Sequence, residues 1–307
     1  MTTTPDWTRV LDALAAAGWT ARVVAAERMD DLRSRVAGVL ASGELPARTA
    51  DHLSDEIAFA WPDSVATPRS VVVAATPRPL TRATLTLGGE PHEIVVPPHY
   101  AGYHTVPDGL AAALATALAP SGHAAARFEP PLKTLAACAG LSRYGRNNIA
   151  YVPGLGSYFM LAACATDAPP PADDWDEPLL LDRCERCSAC LRACPSGAIR
   201  ADRFLLQTDR CLTAVNEDEA PFPDWVDPAW HHCAVGCLRC QQACPENAGV
   251  ELRIAPAETF DGAETAAILA AAPAQQLAAA TRDKLARCGL DYSPALIARN
   301  LHALIDA

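Results

Sequence analysis

The chain has no basic run and no apolar stretch of membrane-spanning length. Its longest apolar stretches, such as Leu110 to Pro120 and Ala266 to Ala272, are alanine-rich and fall well short of the roughly 18 residues that a bilayer span requires. Met1 to Asp6 offer neither the basic n-region nor the apolar h-region of a secretory leader. A formal net charge of -11 argues against an anionic-membrane or nucleic-acid surface, since both attract basic patches. The expectation is a cytoplasmic protein with no membrane partner. In that compartment cysteines serve metals or redox chemistry more often than disulfides. Apart from its two cysteine runs the chain has no internal repeat, and its 307 residues leave room for two cored domains.

What the chain has is cysteine, 12 in all. One run reads Cys184-x2-Cys187-x2-Cys190-x3-Cys194-Pro195, the other Cys237-x2-Cys240-x3-Cys244-Pro245, with Cys211 between them. Three thiolates spaced by two residues wrap one iron–sulfur cube, whereas the cysteine before proline ligates the other cluster of a two-cluster ferredoxin. The pattern predicts two [4Fe–4S] clusters and electron transfer. Giving Cys184, Cys187, Cys190 and Cys244 to one cluster leaves Cys194, Cys237 and Cys240 one ligand short. Aligned on their Cys-Pro ends, the runs place Ala234 opposite Cys184, so the missing thiolate comes from Cys211 or Cys233, and Cys211 is favoured. Structural zinc is the alternative, but it takes separated pairs of cysteines rather than four in one short run. Cys138, Cys164 and Cys288 read as buried apolar residues.

The first sixty residues read as helical from Val10-Leu11-Leu14 and Leu32-Val36-Val39-Leu40. Ser70 to Ala75 is a buried strand, and Ala83–Leu87 with His92–Val96 flank a Gly88-Gly89 turn as a hairpin. A helix follows with Asp108 as N-cap, then a short helix ended by Gly140. The loop Ser142–Asn148 leads to a strand Ile149–Val152, and another strand starts at Ser157. This mixture implies an α+β chain whose N-terminal part, residues 1–168, is an α/β sandwich. The acidic, proline-rich Ala168–Asp174 marks a boundary. A bacterial two-cluster ferredoxin-like domain spans 175–249. A helical tail of three short helices occupies 250–307, with a capping-box start at Asp261 and Glu264 and an N-cap pair at Ser293-Pro294.

The order of an α/β domain, Ala139-Gly140-Leu141, Gly156-Ser157, an acidic link and the interrupted cysteine pattern resembles the epoxyqueuosine reductase family, which is related to the cobalamin-dependent reductive dehalogenases. The likeness runs from about residue 70 to 247 and is tightest over the cysteine domain and from Leu132 to Ser157. Arg143-Tyr-Gly-Arg-Asn-Asn148 and Trp230-His-His-Cys233 are similar to a stand-alone branch of double-cluster proteins. The resemblance implies an N-terminal domain of nitroreductase-like, cobalamin-binding type. In the family both clusters feed a base-off cobalamin that removes an oxygen substituent from a tRNA base. The resemblance also supports Cys184, Cys187, Cys190 and Cys244 for one cluster and Cys194, Cys211, Cys237 and Cys240 for the other. By the same resemblance Tyr103, His104, Gly156 and Ser157 are candidate cofactor-binding residues, and Arg143, Arg146, Asn147 and Asn148 are candidates for a cofactor phosphate or amide, which Arg forks and the amides of Gly-rich loops suit. For Tyr103 and His104 the competing reading is a surface turn, and for the Arg143–Asn148 loop a polar cap on the next strand.

Two departures shape the functional expectation. The family's proton-donating Asp falls, ungapped, on Ala126, and the nearest acid is Glu129, which becomes the catalytic candidate. The C-terminal region that helps hold tRNA in the family is reduced to roughly the last fifty-five residues; with the net charge of -11 this makes tRNA an unexpected partner, because phosphate neutralisation supplies most nucleic-acid affinity. The expectation is therefore a reductase of a small-molecule substrate, fed by an external donor such as a flavodoxin or ferredoxin. The alternative is a non-catalytic electron carrier or partner subunit without cobalamin. His231-His232 are read as solvent-exposed, and Trp175, Trp225 and Trp230 as packing.

Overall fold

A computed structural model describes residues 2–56, 59–255 and 257–306. Ile57 and Ala58, part of the stretch read as helical, lie outside the described residues. The elements run α1 (Trp7–Ala16), β1 (Thr20–Ala25), α2 (Arg28–Ala41), α3 (Ala47–Glu56) and β2 (Ser70–Pro77). β3 (Thr81–Leu87), β4 (Glu90–Val96), α4 (Val106–Leu118), β5 (Ala125–Phe128) and α5 (Leu132–Cys138) come next. After β6 (Arg143–Tyr144), β7 (Ala150–Tyr151) and β8 (Phe159–Thr166), the cysteine-rich stretch uses the short helices α6 (Ala189–Ala193), α7 (Leu212–Asn216) and α8 (Arg239–Gln242). β9 (Glu258–Phe260), α9 (Gly262–Leu269), α10 (Ala279–Cys288) and α11 (Pro294–Ile305) complete the order. Among the described residues no helix is long and apolar enough to cross a membrane.

The chain divides into two compact units, the first being Met1–Pro77, His104–Ser188 and Asp202–Leu206. An antiparallel sheet in the order β1-β2-β8-β5 organises it. Successive side chains of β2 point to opposite faces. Val72 and Ala74 join Leu14 of α1 with Leu110, Leu114 and Leu118 of α4. Val71, Val73 and Ala75 join Met29 and Leu32 of α2 with Leu135 of α5. Helices cover both faces, which is why the strand is apolar at consecutive positions instead of alternating. The mixed α/β layering matches the expectation.

Local departures have identifiable causes. β1 interrupts the stretch read as helical, and its burial alternates along a span too short to break the helical pattern on either side. β5 is alanine-rich, and alanine favours helix in isolation; pairing of Ala126 with Ala165 and Arg127 with Cys164 overrides that preference. α4 takes Thr105 as its N-cap, and Asp108 instead sits in the first turn, 3.6 Å from Arg127 Nη1. Gly140 does end α5, at φ 69°, with Leu141 N–H on the Ala136 carbonyl at 2.9 Å and Gly140 N–H on that of Ala137 at 3.2 Å, a Schellman closure. The loop at 142–148 contains β6, and the strand expected from Ser157, β8, begins at Phe159.

The second unit is Arg78–Tyr103, Ala189–Ala201 and Gln207–Ala307. Gly88 and Gly89, with φ of 61° and 88°, form the two-residue hairpin turn between β3 and β4. β3 also pairs in parallel with β9. Leu85, Ile94 and Val96 of the hairpin pack with Phe260, Ile268, Ile297 and Leu301 of the tail. This division departs from the sequential one at 1–168, 175–249 and 250–307. A hairpin's local pattern says that one face needs covering, not which distant segment covers it. Among the described residues the tail holds the three α-helices α9, α10 and α11, and α9 carries the Asp261–Glu264 capping box.

Candidate metal centre

In the first unit, strand-like pairing delivers the start of the first cysteine run. Tyr144 N–H bonds the Leu179 carbonyl at 2.9 Å and Leu181 N–H returns to Tyr144 at 2.8 Å. A 3-10 turn at Asp182–Glu185 follows and carries Cys184, whose N–H bonds Leu181 at 2.9 Å. Arg143 Nη1 pairs with exposed Asp182 at 2.7 Å. Arg146 donates its backbone N–H to Cys184 Sγ at 3.4 Å and Nη2 to the Cys184 carbonyl at 2.6 Å. Buried Asn147 is used inside the loop, its Nδ2 on the Tyr151 hydroxyl at 3.0 Å. Asn148, at φ 59°, accepts from Lys133 Nζ through its carbonyl at 3.3 Å.

The second unit gathers further cysteines. α6 packs against α8, Cys190 is buried, and Cys194 N–H bonds the Cys190 carbonyl at 3.1 Å. Cys211 stands at the N-cap of α7. Burial pushes its thiol up, opposed by the N–H groups of Thr213 and Ala214 and the Thr213 hydroxyl. Burial pushes Cys237 up to about 11, opposed by Arg239 N–H and reinforced by Cys211 and Cys194. Cys194 lies near enough to bear on the thiols of both Cys211 and Cys237, and Cys211 on that of Cys237, an opposition that a coordinated cationic centre would relieve. Cys233 is 1% exposed beside Leu80 and Leu238, and burial pushes it up to about 12. None of the cysteines is in a disulfide, and Cys138, Cys164 and Cys288 are buried as expected. Among the described residues no three His, Cys, Asp or Glu side chains converge on one metal ion. A four-iron cube keeps its thiolates around its outside, unlike zinc, which draws four ligands to one point.

The braces around these cysteines come from residues that sequence reading passed over or misplaced. His232 is half-buried; its Nε2 accepts from Leu238 N–H at 3.1 Å and Nδ1 donates to the Trp230 carbonyl at 3.2 Å, which fixes the neutral tautomer. His231 is buried against Phe222, so neither histidine is simply solvent-exposed. Trp225 and Trp230 pack with Leu212, Val215 and Cys237, as read. Tyr100 donates its hydroxyl to Glu217, just beyond α7, and its ring lies against Gly236. Asn300 Nδ2 reaches the carbonyls of Asn216 at 2.8 Å and Ala234 at 3.1 Å. One signal could have found Asn300: it lies at helical spacing among Leu296, Ile297 and Leu301, where a polar residue needs a buried partner.

The remaining candidates are scattered. Tyr103 is 63% exposed and ends a segment of the second unit, whereas exposed His104 begins one of the first. Gly156 has φ 57° and accepts from Val152 N–H at 2.9 Å, and Ser157 is buried. Exposed Glu129 has its carboxylate on Arg127 Nη2, while Ala126 lies within β5. The cysteine donor set fits two iron–sulfur clusters. The Arg143–Asn148 side chains, turned toward the cysteine run or used within their own unit, do not fit a corrin cradle.

Residues 183–247 match the family model for a 4Fe-4S double cluster binding domain. The chain is 34% identical over 116 residues to the epoxyqueuosine reductase of Yersinia pestis, covering 38% of this chain and 27% of that protein. To that of Pseudomonas aeruginosa it is 29% identical over 182 residues, 58% and 47% of the two chains. The match thus spans less than half the length of either relative. The solved epoxyqueuosine reductase of Streptococcus thermophilus shares the fold, with a TM-score of 0.65 at 17% identity over 98% of this chain and 80% of that one. Another, crystallised with an epoxyqueuosine-modified tRNA-Tyr stem loop, gives 0.66 at 17% identity over 97% and 80%. That complex with a tRNA stem loop corrects the expectation that tRNA is an unlikely partner. Net charge is a whole-chain sum, and phosphate contacts are local. Residues 183–203 alone hold Arg183, Arg186, Arg192, Arg200 and Arg203 against Glu185 and Asp202.

Proposed function

We propose that this epoxyqueuosine-reductase-like chain is an iron–sulfur reductase in which Cys184, Cys187, Cys190 and Cys244 ligate one cluster and Cys194, Cys211, Cys237 and Cys240 the other. When bound, the two [4Fe–4S] clusters supply single electrons. The observation that carries the reading is the double-cluster pattern at 183–247 together with the mutual reach of Cys194, Cys211 and Cys237. Thr213, Ala214 and Arg239 donate N–H groups that favour the thiolates of Cys211 and Cys237. Trp225, Trp230, Leu212 and Val215 keep water from the Cys237 side. His232, held neutral, pins the turn that leads into Cys237.

Cobalamin as electron acceptor rests on the family resemblance alone, because the Arg146 and Asn147 side chains are already engaged within their own unit. The relatives' activity motivates an epoxide-bearing tRNA nucleoside as substrate. Metal analysis and spectroscopy of anaerobically purified protein should show two four-iron clusters and no stoichiometric zinc. Retention of added corrinoid under reducing conditions, and reduction of a modified tRNA stem loop, test the finer reading. Full clusters with neither result would leave a second reading, an electron carrier without cobalamin. That reading is favoured by Ala126 and by the Arg127 bond that occupies Glu129. It fails if a reduction lost on deleting the protein is restored by the wild type but not by a Glu129→Gln variant that holds both clusters in full.

A further inference from the structure

We propose that Arg146 is a positioning residue that sets the reduction potential of the cluster ligated by Cys184. The proposal rests on the ligand assignment above. Its two contacts lie within the first unit: backbone N–H to Cys184 Sγ at 3.4 Å and Nη2 to the Cys184 carbonyl at 2.6 Å. Hydrogen bonds to the sulfurs are among the factors that set a cluster's potential. An N–H aimed at a ligating sulfur stabilises the electron-richer state, so it raises that potential. The guanidinium brings a fixed positive charge to the same residue and acts in the same direction.

The surrounding loop is built to aim this donor. Gly145 N–H bonds Ile149 at 2.8 Å, and Asn148 N–H bonds Gly145 at 2.9 Å. A Cβ on Gly145 would stand 2.4 Å from Asn147 Oδ1 and 2.6 Å from the Tyr151 ring, so glycine is required there. Asn147 in turn is fixed by Tyr151 at 3.0 Å. The acceptor is fixed as well, because Tyr144, two residues before Arg146, is the residue that pairs with Leu179 and Leu181. One loop therefore holds both the chain that carries Cys184 and the group pointed at its sulfur. Sequence reading offered this loop to a cofactor phosphate or amide; its geometry directs Arg146 to the cysteine.

Potentiometric titration of the holoprotein followed by EPR tests the proposal. Arg146→Ala removes the guanidinium and keeps the N–H, Arg146→Pro removes the N–H, and Arg146→Lys retains a charge. With both clusters present, Arg146→Ala should lower one potential, by about a tenfold change in the reduced-to-oxidised ratio at fixed poise, or about 59 mV for a one-electron couple. The other cluster should not move. Arg146→Pro, where it folds, should shift the same cluster, and Arg146→Lys should recover part of the loss. Unchanged potentials in a fully loaded Arg146→Ala protein overturn the proposal, as does loss of a cluster's iron in that variant, which would mean holding rather than tuning. Cys184→Ser separates the two failures. If it keeps both clusters, the ligand assignment falls and the proposal with it; if it loses one while the Arg146 variants keep wild-type potentials, the proposal alone falls.

Discussion

The two cysteine runs are secured by different means. The first is complete in sequence, and its leading residue, Cys184, is braced by a short loop of the first unit through Arg146. The second has Ala234 where a leading cysteine would stand, and Cys211, on a separate turn, comes within electrostatic reach of Cys237 and Cys194. Its braces come from widely separated parts of the chain: Tyr100 on Glu217, and Asn300 on Asn216 and Ala234. A ligand set that is whole in sequence needs local support. One that is interrupted needs tertiary hydrogen bonds to hold its turns in register.

If so, the second unit should be the more fragile to single substitutions at its braces. The largest effect is expected for Gly236→Ala. Its φ is +66°, and an added Cβ would lie 2.2 Å from Tyr100 Oη and 2.8 Å from the ring. Overpacking with backbone strain should cost about 3 kcal/mol or more, read by chemical denaturation. A Tyr100→Ala change made alongside it vacates the space and should recover part of that loss. Next comes Asn300→Ala, which strips the donor from two main-chain carbonyls. A cost of about 3 kcal/mol is expected, with one cluster's iron lost before the other's.

Tyr100→Phe should cost about 1–2 kcal/mol by removing the bond to Glu217. It also carries a pH signature. Burial first, and then the Glu217 charge, hold the Tyr100 hydroxyl well above its ordinary value of 10.0. The folded state keeps this proton more tightly than the unfolded one, so the contribution is full below pH 10.0 and is lost as pH rises above it. Equilibrium unfolding across that range should show a flatter alkaline limb for Tyr100→Phe than for the wild type. The smallest effect belongs to the first run: Arg143→Ala breaks an exposed ion pair with Asp182 and should change stability by less than about 0.5 kcal/mol. A larger loss there would erase the contrast between the runs.

Sequence reading reached what is encoded locally. The consecutive valines of β2, the Gly88-Gly89 turn, the Gly140 helix stop and the Asp261–Glu264 capping box each carry their structure within a few residues. The edge strand β5 was missed because its alanines favour helix until β8 pairs with them. The hairpin's assignment to the second unit depends on β9, a partner distant in sequence. At the site, spacing alone marked the cysteines. It could not show that Arg146 turns to Cys184, that Glu129 is taken up by Arg127, or that Asn300 ties two turns together, because those depend on how separate segments meet.

The most direct test of this account is the iron content of two single variants, because Cys211 and Cys233 are the rival ligands for the interrupted set. Cys211→Ser should lose about half the iron of anaerobically prepared protein and destabilise the second unit, since a cluster site seldom forms without its metal. Cys233→Ser, altering a thiol packed against Leu80 and Leu238, should retain iron close to the wild type. Iron kept in Cys211→Ser and lost in Cys233→Ser would contradict the account and show that the second run closes its own cluster locally.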